Sequence, residues 1–394
     1  MHLRIWCLIL TTLAVPAVDA SDGSGRPVRV ATFNIFELTA QKLAAVDAQG
    51  QGNHPQLLKA AEVLQRVRPD IVLINEIDYE APSETAADTN RPPAARMFLA
   101  RYLKVAQHGQ PSIDYPHMYY QAVNTGVPTG LDIDNDGRAD GPADAYGFGR
   151  YPGQYGMLLL SRFPIVVDQA RTFRLLRWVQ MPGALIPDGK SGKPDFLSPA
   201  EVGCFRLSSK SHWDVPVRVG DHEIHLLCSH PTPPVFDKSE DLNGRRNFDE
   251  IRLWADYIAG GERAAYLRDD QGRAGGLTPG ANFIVLGDLN SDPVRSESTY
   301  GKVPIQQLLD LPQLSDPRPR QGGLQQTQIE SRSANPDLFK TSHFGRLDYV
   351  LPSRTLKVTA SGVFHPAPTD VLHRLVNQPH PASDHDLVWV DLEL

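Results

Sequence analysis

Cysteine is almost missing from this chain: there are three in 394 residues, Cys7, Cys204 and Cys228, and no CxxC pair. That spacing argues against a thiolate zinc site. Positive charge is also in short supply, with 39 Lys and Arg against 46 Asp and Glu, a net charge of −7. A protein that grips long nucleic acid usually carries a basic footprint. None shows globally here, which leaves room only for a local basic groove and leans towards small or neutral substrates. No GxSxG elbow and no HExxH helix occurs, which argues against a serine hydrolase and a zincin. Gly183 to Ser191 imitates a phosphate-binding loop, but five residues separate Gly183 from Gly189 where that motif needs four. Beyond residue 20 no apolar run is long enough to span a bilayer.

Residues 1–20 read as a signal peptide. His2 and Arg4 make a weakly basic start, Ile5 to Val15 is almost wholly apolar, and Val18-Asp19-Ala20 places small residues at the usual cleavage positions. The alternative, an uncleaved anchor, needs a longer apolar run. The expected mature protein is residues 21–394, one domain, secreted or periplasmic, soluble and monomeric. Cys7 leaves with the signal. Cys204 and Cys228 permit one disulfide in an oxidising compartment, while the apolar run around Cys228 equally suits a buried thiol.

What remains is an ordinary globular composition, 41% hydrophobic and 22% charged, enough for a large core. Val28 to Asn34 alternates as a strand and ends in a carboxamide. A helix follows from Pro55, with Leu57, Ala61, Leu64 and Val67 at helical spacing and Pro69 closing it. Ile71 to Ile74 is a buried strand ending in Asn75-Glu76. Met157 to Leu160 is another, and two strands flank Gly220. The second of these, Ile224 to Cys228, leads to Ser229-His230. Ile251, Trp254, Ala255 and Ile258 mark an amphipathic helix. Phe283 to Leu286 then runs into Gly287-Asp288-Leu289-Asn290, where an extended chain would turn Asp288 and Asn290 to one side. Late in the chain come Leu347-Asp348 and Ser383-Asp384-His385. The last strand begins at its polar pair and so runs away from it, which predicts mixed sheets.

Residues 81–155 read as an insertion rich in Pro, Gly, Asp and Ala, with one helix near Ala94 to Lys104. Inside it, Asp132, Asp134, Asp136 and Asp140 form a DxDxDGxxD loop. Alternate carboxylates with a glycine at the sharp turn suit a structural Ca²⁺ ion. The alternative is an acidic surface loop, since Ala143 stands where the full motif has Glu.

Six apolar strand segments thus carry Asn34, Glu76, His230, Asp288 with Asn290, Asp348, and Asp384 with His385 at or near their ends. Oxygen ligands from Asn, Glu and Asp suit a hard cation, Mg²⁺ or Mn²⁺. A His with an Asp can form an acid–base pair. The set holds the parts for metal-assisted attack of water on a phosphoryl group.

With these residues in place, the chain resembles the endonuclease/exonuclease/phosphatase superfamily, the group of deoxyribonuclease I, the exonuclease III type, bacterial sphingomyelinases and inositol phosphate phosphatases. The matching pieces are Thr32-Phe33-Asn34-Ile35, Ile74-Asn75-Glu76-Ile77, Ser229 to Pro233, Gly287 to Asn290, Leu347 to Val350 and Ser383-Asp384-His385, in the family's order. The resemblance implies an α/β fold, a four-layer α/β sandwich of two mixed β-sheets face to face with outer helices. It implies Glu76 as main metal ligand with Asn34 and Asp384 beside it. It implies His385 binding the scissile phosphate or exchanging a proton, with Asp348 as its carboxylate partner, and Asp288 positioning or deprotonating the attacking water or sharing the metal. Asn290 would bond a phosphate oxygen, and His230 would do so from the opposite side and protonate the leaving oxygen. Phe36 stands where some members carry an acidic residue, with Glu37 one place later. Asn124 reads as a site residue or a turn residue, and Lys210, His212 and Arg246 as phosphate-steering or as solvated surface groups.

The expected activity is an exported, divalent-metal-dependent phosphodiesterase or phosphomonoesterase acting on a small phosphoester. The alternatives are an extracellular nuclease acting on nucleic acid, a sphingomyelinase-like lipid phosphodiesterase, and a non-catalytic, calcium-stabilised binding module.

Overall fold

The computed structural model describes residues 26–80, 93–187, 196–236, 238–297, 301–322, 335–377 and 381–394. The signal-peptide reading and residues 81–92 of the insertion lie outside them. The seven-stranded sheet has the order β3 (His117–Tyr119), β4 (Gly156–Ser161), β2 (Ile71–Ile77), β1 (Val28–Leu38), β12 (Val388–Glu393), β11 (Lys357–Phe364) and β9 (Gln321–Gly322). The five-stranded sheet has the order β10 (Asp348–Pro352), β8 (Asn282–Asp288), β7 (His222–Ser229), β6 (His212–Val219) and β5 (Arg171–Thr172). β1 and β2 are parallel, as are β7 and β8, while β12 is antiparallel to β1 and β10 to β8. Both sheets are therefore mixed, as the reversed last strand required.

Strand alternation divides each apolar run between two cores. On β2, Ile71 and Leu73 face the other sheet, while Val72 and Ile74 pack beneath the helix Pro55–Val67 with Leu57, Ala61 and Leu64. On β8, Ile284 and Leu286 meet the first sheet, and Val285 packs with Ile251, Trp254 and Ala255 of the helix Leu242–Ala259. Runs buried on both faces are continuously apolar, which is why no alternation shows there. The layers are helix, sheet, sheet, helix, the sandwich that the resemblance implied.

The described part of the insertion packs into the domain: His117–Tyr119 pairs with β4 as the sheet's edge strand, and Ala94, Ala95 and Phe98 join the core under the Pro55–Val67 helix. Cys204 and Cys228 are both free thiols, so no disulfide links them. Cys228 lies in the core between the sheets, where burial pushes its thiol well up. No helix among the described residues is long and apolar enough to cross a membrane.

Candidate active site

Parallel strands of adjacent sheets end at the same edge, and antiparallel ones begin there. Asn34, Glu76, Asp288, Asp348 and His385 meet by this geometry, although the sequence scatters them over the whole chain. Asn34 Nδ2 donates to Glu76 Oε1 at 3.0 Å and to Asp288 Oδ2 at 3.1 Å, bridging the two sheets. Asp348 stands opposite Asp288 in the β10–β8 register. His385 Nδ1 lies 2.7 Å from Asp348 Oδ2, and its Nε2 lies 3.8 Å from Asp288 Oδ2. His230 Nε2 reaches the same Asp288 oxygen at 3.4 Å. Asp288 is thus the acidic neighbour of His230 that the sequence could not identify. Ser383 Oγ donates to the Asn34 carbonyl at 2.7 Å and accepts the His385 N–H at 3.2 Å, tying the terminal strand to the first.

The local backbone explains several residue choices. Gly287 has φ 141°, and a Cβ there would fall 1.9 Å from the Ser229 carbonyl oxygen, so only glycine lets β8 lie this close to β7. Glu76 has φ 68° and sits where the pairing of β2 with β4 skips between Asn75 and Ile77. Such a bulge re-aims a side chain, here the carboxylate, towards Asn34. Asn290 also has φ 52°, so the chain beyond Asp288 is not extended and the two side chains do not simply share a face. Instead the Asn290 N–H donates to Asp288 Oδ1 at 3.0 Å, and its Nδ2 donates to the Pro231 carbonyl at 3.1 Å. Both residues still belong to one cluster, by a turn that Asn tolerates.

The charges balance through burial and pairing. Burial pushes the Asp288 carboxyl up, but His385 and His230 outweigh it and hold the group well below its usual range. Burial pushes His385 down, yet Asp348 and Asp288 hold the imidazole well above its ordinary value. Asp348 is pushed up by burial and by Asp288 against the pull of His385. Asp288, Asp348 and His385 bring potential ligand atoms within 4.8 Å of one another. Glu76, Asn34 and Asp384 are an all-oxygen set whose chemistry fits a hard cation, with Asp384 raised by burial and by the Glu76 charge against the pull of His385.

Several residues were missed in sequence. Thr341 Oγ1 donates to Asp348 Oδ2 at 2.7 Å and accepts the Asp348 N–H, and no motif marks it. Asn75 Oδ1 accepts from Thr32 Oγ1 at 3.3 Å and from the Asp288 N–H at 3.4 Å. Lys210 is wholly buried, not a solvated surface group: burial lowers it, while Glu250, Glu76 and Asp288 pull it back up. His212 and Arg246 are likewise buried, but serve structure. His212 sits between Ser208 Oγ and the Glu250 carbonyl, and Arg246 donates to the carbonyls of Leu207, Tyr146 and Arg206. Asn124 joins the carbonyls of Arg174 and Ser208, a loop-stitching role.

The acidic loop is only partly as expected. Asp132, Asp134 and Asp136 bring carboxylate oxygens within 4.8 Å of one another, but Asp140 turns away and pairs with Arg138 at 3.1 Å. Asp144, one place late for the motif, is buried and accepts the N–H groups of Ile133 and Gly141.

Comparison with known proteins agrees with the fold. An endonuclease/exonuclease/phosphatase from Beutenbergia cavernae is 18% identical with TM-score 0.50, covering 94% of this chain and 72% of that one. A family protein from Leptotrichia buccalis is 13% identical with TM-score 0.48, covering 93% and 100%. A mannosyl-6-phosphatase from Bacteroides thetaiotaomicron is 15% identical with TM-score 0.45, covering 93% and 100%. No curated protein matches the sequence. The Endonuclease/Exonuclease/phosphatase family signature spans residues 31–385, from the first strand to His385, and the chain belongs to that family.

Proposed function

We propose that this protein is an exported phosphoester hydrolase that attacks phosphorus with water and acts on a small phosphodiester or phosphomonoester. The observation that carries the reading is the double engagement of Asp288 Oδ2 by His230 and His385, with Asn34 joining the same oxygen to Glu76. Family members hydrolyse phosphoesters with a divalent metal, and Glu76, Asn34 and Asp384 would hold Mg²⁺ or Mn²⁺. When bound, that cation would neutralise charge on the phosphoryl oxygens. The protein groups divide the remaining work. Ionised Asp288 aligns the attacking water and takes its proton as the new P–O bond forms and the bond to the leaving oxygen breaks. His385, oriented by Asp348, donates to a phosphoryl oxygen. The second N–H of Asn290 Nδ2 serves another oxygen, and His230 delivers a proton to the leaving oxygen from the other side. The net charge of −7 supports a small substrate over a long polyanion.

The test is a substrate panel for the mature chain: an aryl phosphomonoester, an aryl phosphodiester, plasmid DNA and sphingomyelin, with Mg²⁺, Mn²⁺ and Ca²⁺ varied. Turnover of a small ester, lost with chelator and restored by Mg²⁺ or Mn²⁺, is expected. Faster cleavage of DNA or sphingomyelin, or activity that survives chelation, would overturn the reading.

A further inference from the structure

Phe36 and Glu37 are left-handed, with φ 39° and 53°, though neither is glycine. L residues rarely adopt this conformation, so neighbouring contacts must hold the turn in place. Two consecutive peptide groups run through it. The peptide between Ile35 and Phe36 donates its N–H to Asn34 Oδ1 at 3.0 Å, and its carbonyl accepts from Gln56 Nε2 at 2.8 Å. The peptide between Phe36 and Glu37 donates its N–H to Glu76 Oε2 at 3.1 Å, and its carbonyl accepts from Gln56 Nε2 and from Lys42 Nζ, each at 3.0 Å. Lys42 Nζ also donates to Gln56 Oε1 at 2.7 Å, which locks the two side chains together. Each peptide therefore takes a hydrogen bond at its oxygen from this pair and passes one on from its nitrogen to Asn34 or Glu76.

A hydrogen bond at a peptide oxygen polarises the group and strengthens its N–H as a donor. Partners behind a metal ligand set that ligand's orientation, and their loss typically lowers metal affinity about 10–100-fold. Gln56 stands at the second position of the helix Pro55–Val67, whose core packing fixes it relative to β1 and β2. From this we propose that Gln56, braced by Lys42, is a positioning residue for the divalent-cation site: it holds the strained 35–37 turn so that two peptide N–H groups aim Asn34 and Glu76 at the ion. The inference rests on the reading that Asn34 and Glu76 are the ligands. Lys42 carries a charge that itself repels a cation, so changing it alters two opposed effects at once. Gln56 is neutral and isolates the positioning effect.

Mn²⁺ binding to the full mature protein, measured by titration calorimetry without substrate, tests this. Q56L and Q56M each remove both donations and add no charge. Wild type should bind Mn²⁺ and E76Q should lose binding. Q56L and Q56M should each weaken it about tenfold or more, with the circular dichroism of the apo protein unchanged. If both Gln56 variants bind within threefold of wild type, the positioning role is wrong while the ligand assignment stands. If E76Q binds Mn²⁺ as wild type does, the ligand assignment fails and the inference falls with it. Should Q56L not fold, Q56M, close to glutamine in length and flexibility, decides the question.

Discussion

Asp288 is the residue on which the site's electrostatics turn. It is buried between two imidazoles and an amide, and His385, His230 and the Asn290 N–H together favour its ionised form against burial. The glycine before it is as demanding for a different reason, since β7 leaves no space for a Cβ and the φ of 141° excludes most side chains. We expect Gly287→Ala to destabilise the fold by more than about 4 kcal/mol, in the range reserved for severe backbone or packing faults. Urea denaturation of the variant measures this, and a loss below about 1 kcal/mol would contradict it. In sequence, Asp288, Asn290, Glu76 and His230 were legible because each follows an apolar run. Lys210 and Thr341 were not, because burial of a Lys and the partner of an Asp are set by loops that meet only in three dimensions.

Among the elements, the helix Leu242–Ala259 does most to shape the site, although it supplies no residue to the chemistry. Asn247 Nδ2 donates to the carbonyls of Thr232 at 2.8 Å and Leu289 at 3.1 Å, joining the loops of His230 and Asp288. Glu250 accepts the Thr232 N–H at 2.7 Å, the Ser209 N–H at 2.6 Å and Ser209 Oγ at 3.0 Å. Trp254 Nε1 donates to Ser229 Oγ at 2.9 Å. The amphipathic spacing of Ile251, Trp254, Ala255 and Ile258 announced the helix, but its polar residues facing inward looked like ordinary surface. Glu250→Ala would orphan three donors and leave Lys210 buried without its main counter-charge. We expect a loss of about 3–5 kcal/mol, the range for breaking a buried charged partnership. The double variant Glu250→Ala, Lys210→Met should lose less than the two single costs combined. Additive losses in a denaturation cycle would refute the coupling.

For the whole molecule, the sandwich turns a scattered sequence pattern into one locus. β1, β2, β7 and β8 end at an edge where β10 and β12 begin, so residues from Asn34 to His385 meet across two sheets. The pattern of strand ends was readable without the fold, and the direction of the last strand already implied mixed sheets. The contacts of the insertion were not readable: its Tyr155 hydroxyl donates to Glu37 Oε1 at 3.0 Å and Tyr151 reaches Asp78, so the segment lies against the 35–37 turn. Proline and glycine content marked it as loop, but contacts between loops leave no periodic trace. The central claim is that this shared edge is a phosphoester-hydrolysing site with Glu76 on one side of the phosphorus and His385 on the other. Its most direct test is kcat/KM of Glu76→Ala and His385→Ala beside wild type on the best small phosphoester with Mg²⁺ or Mn²⁺ present. Each variant should fall about 10²–10⁴-fold, the scale of an acid–base or charge-stabilising group, while circular dichroism stays unchanged. Full activity in either variant would contradict the account.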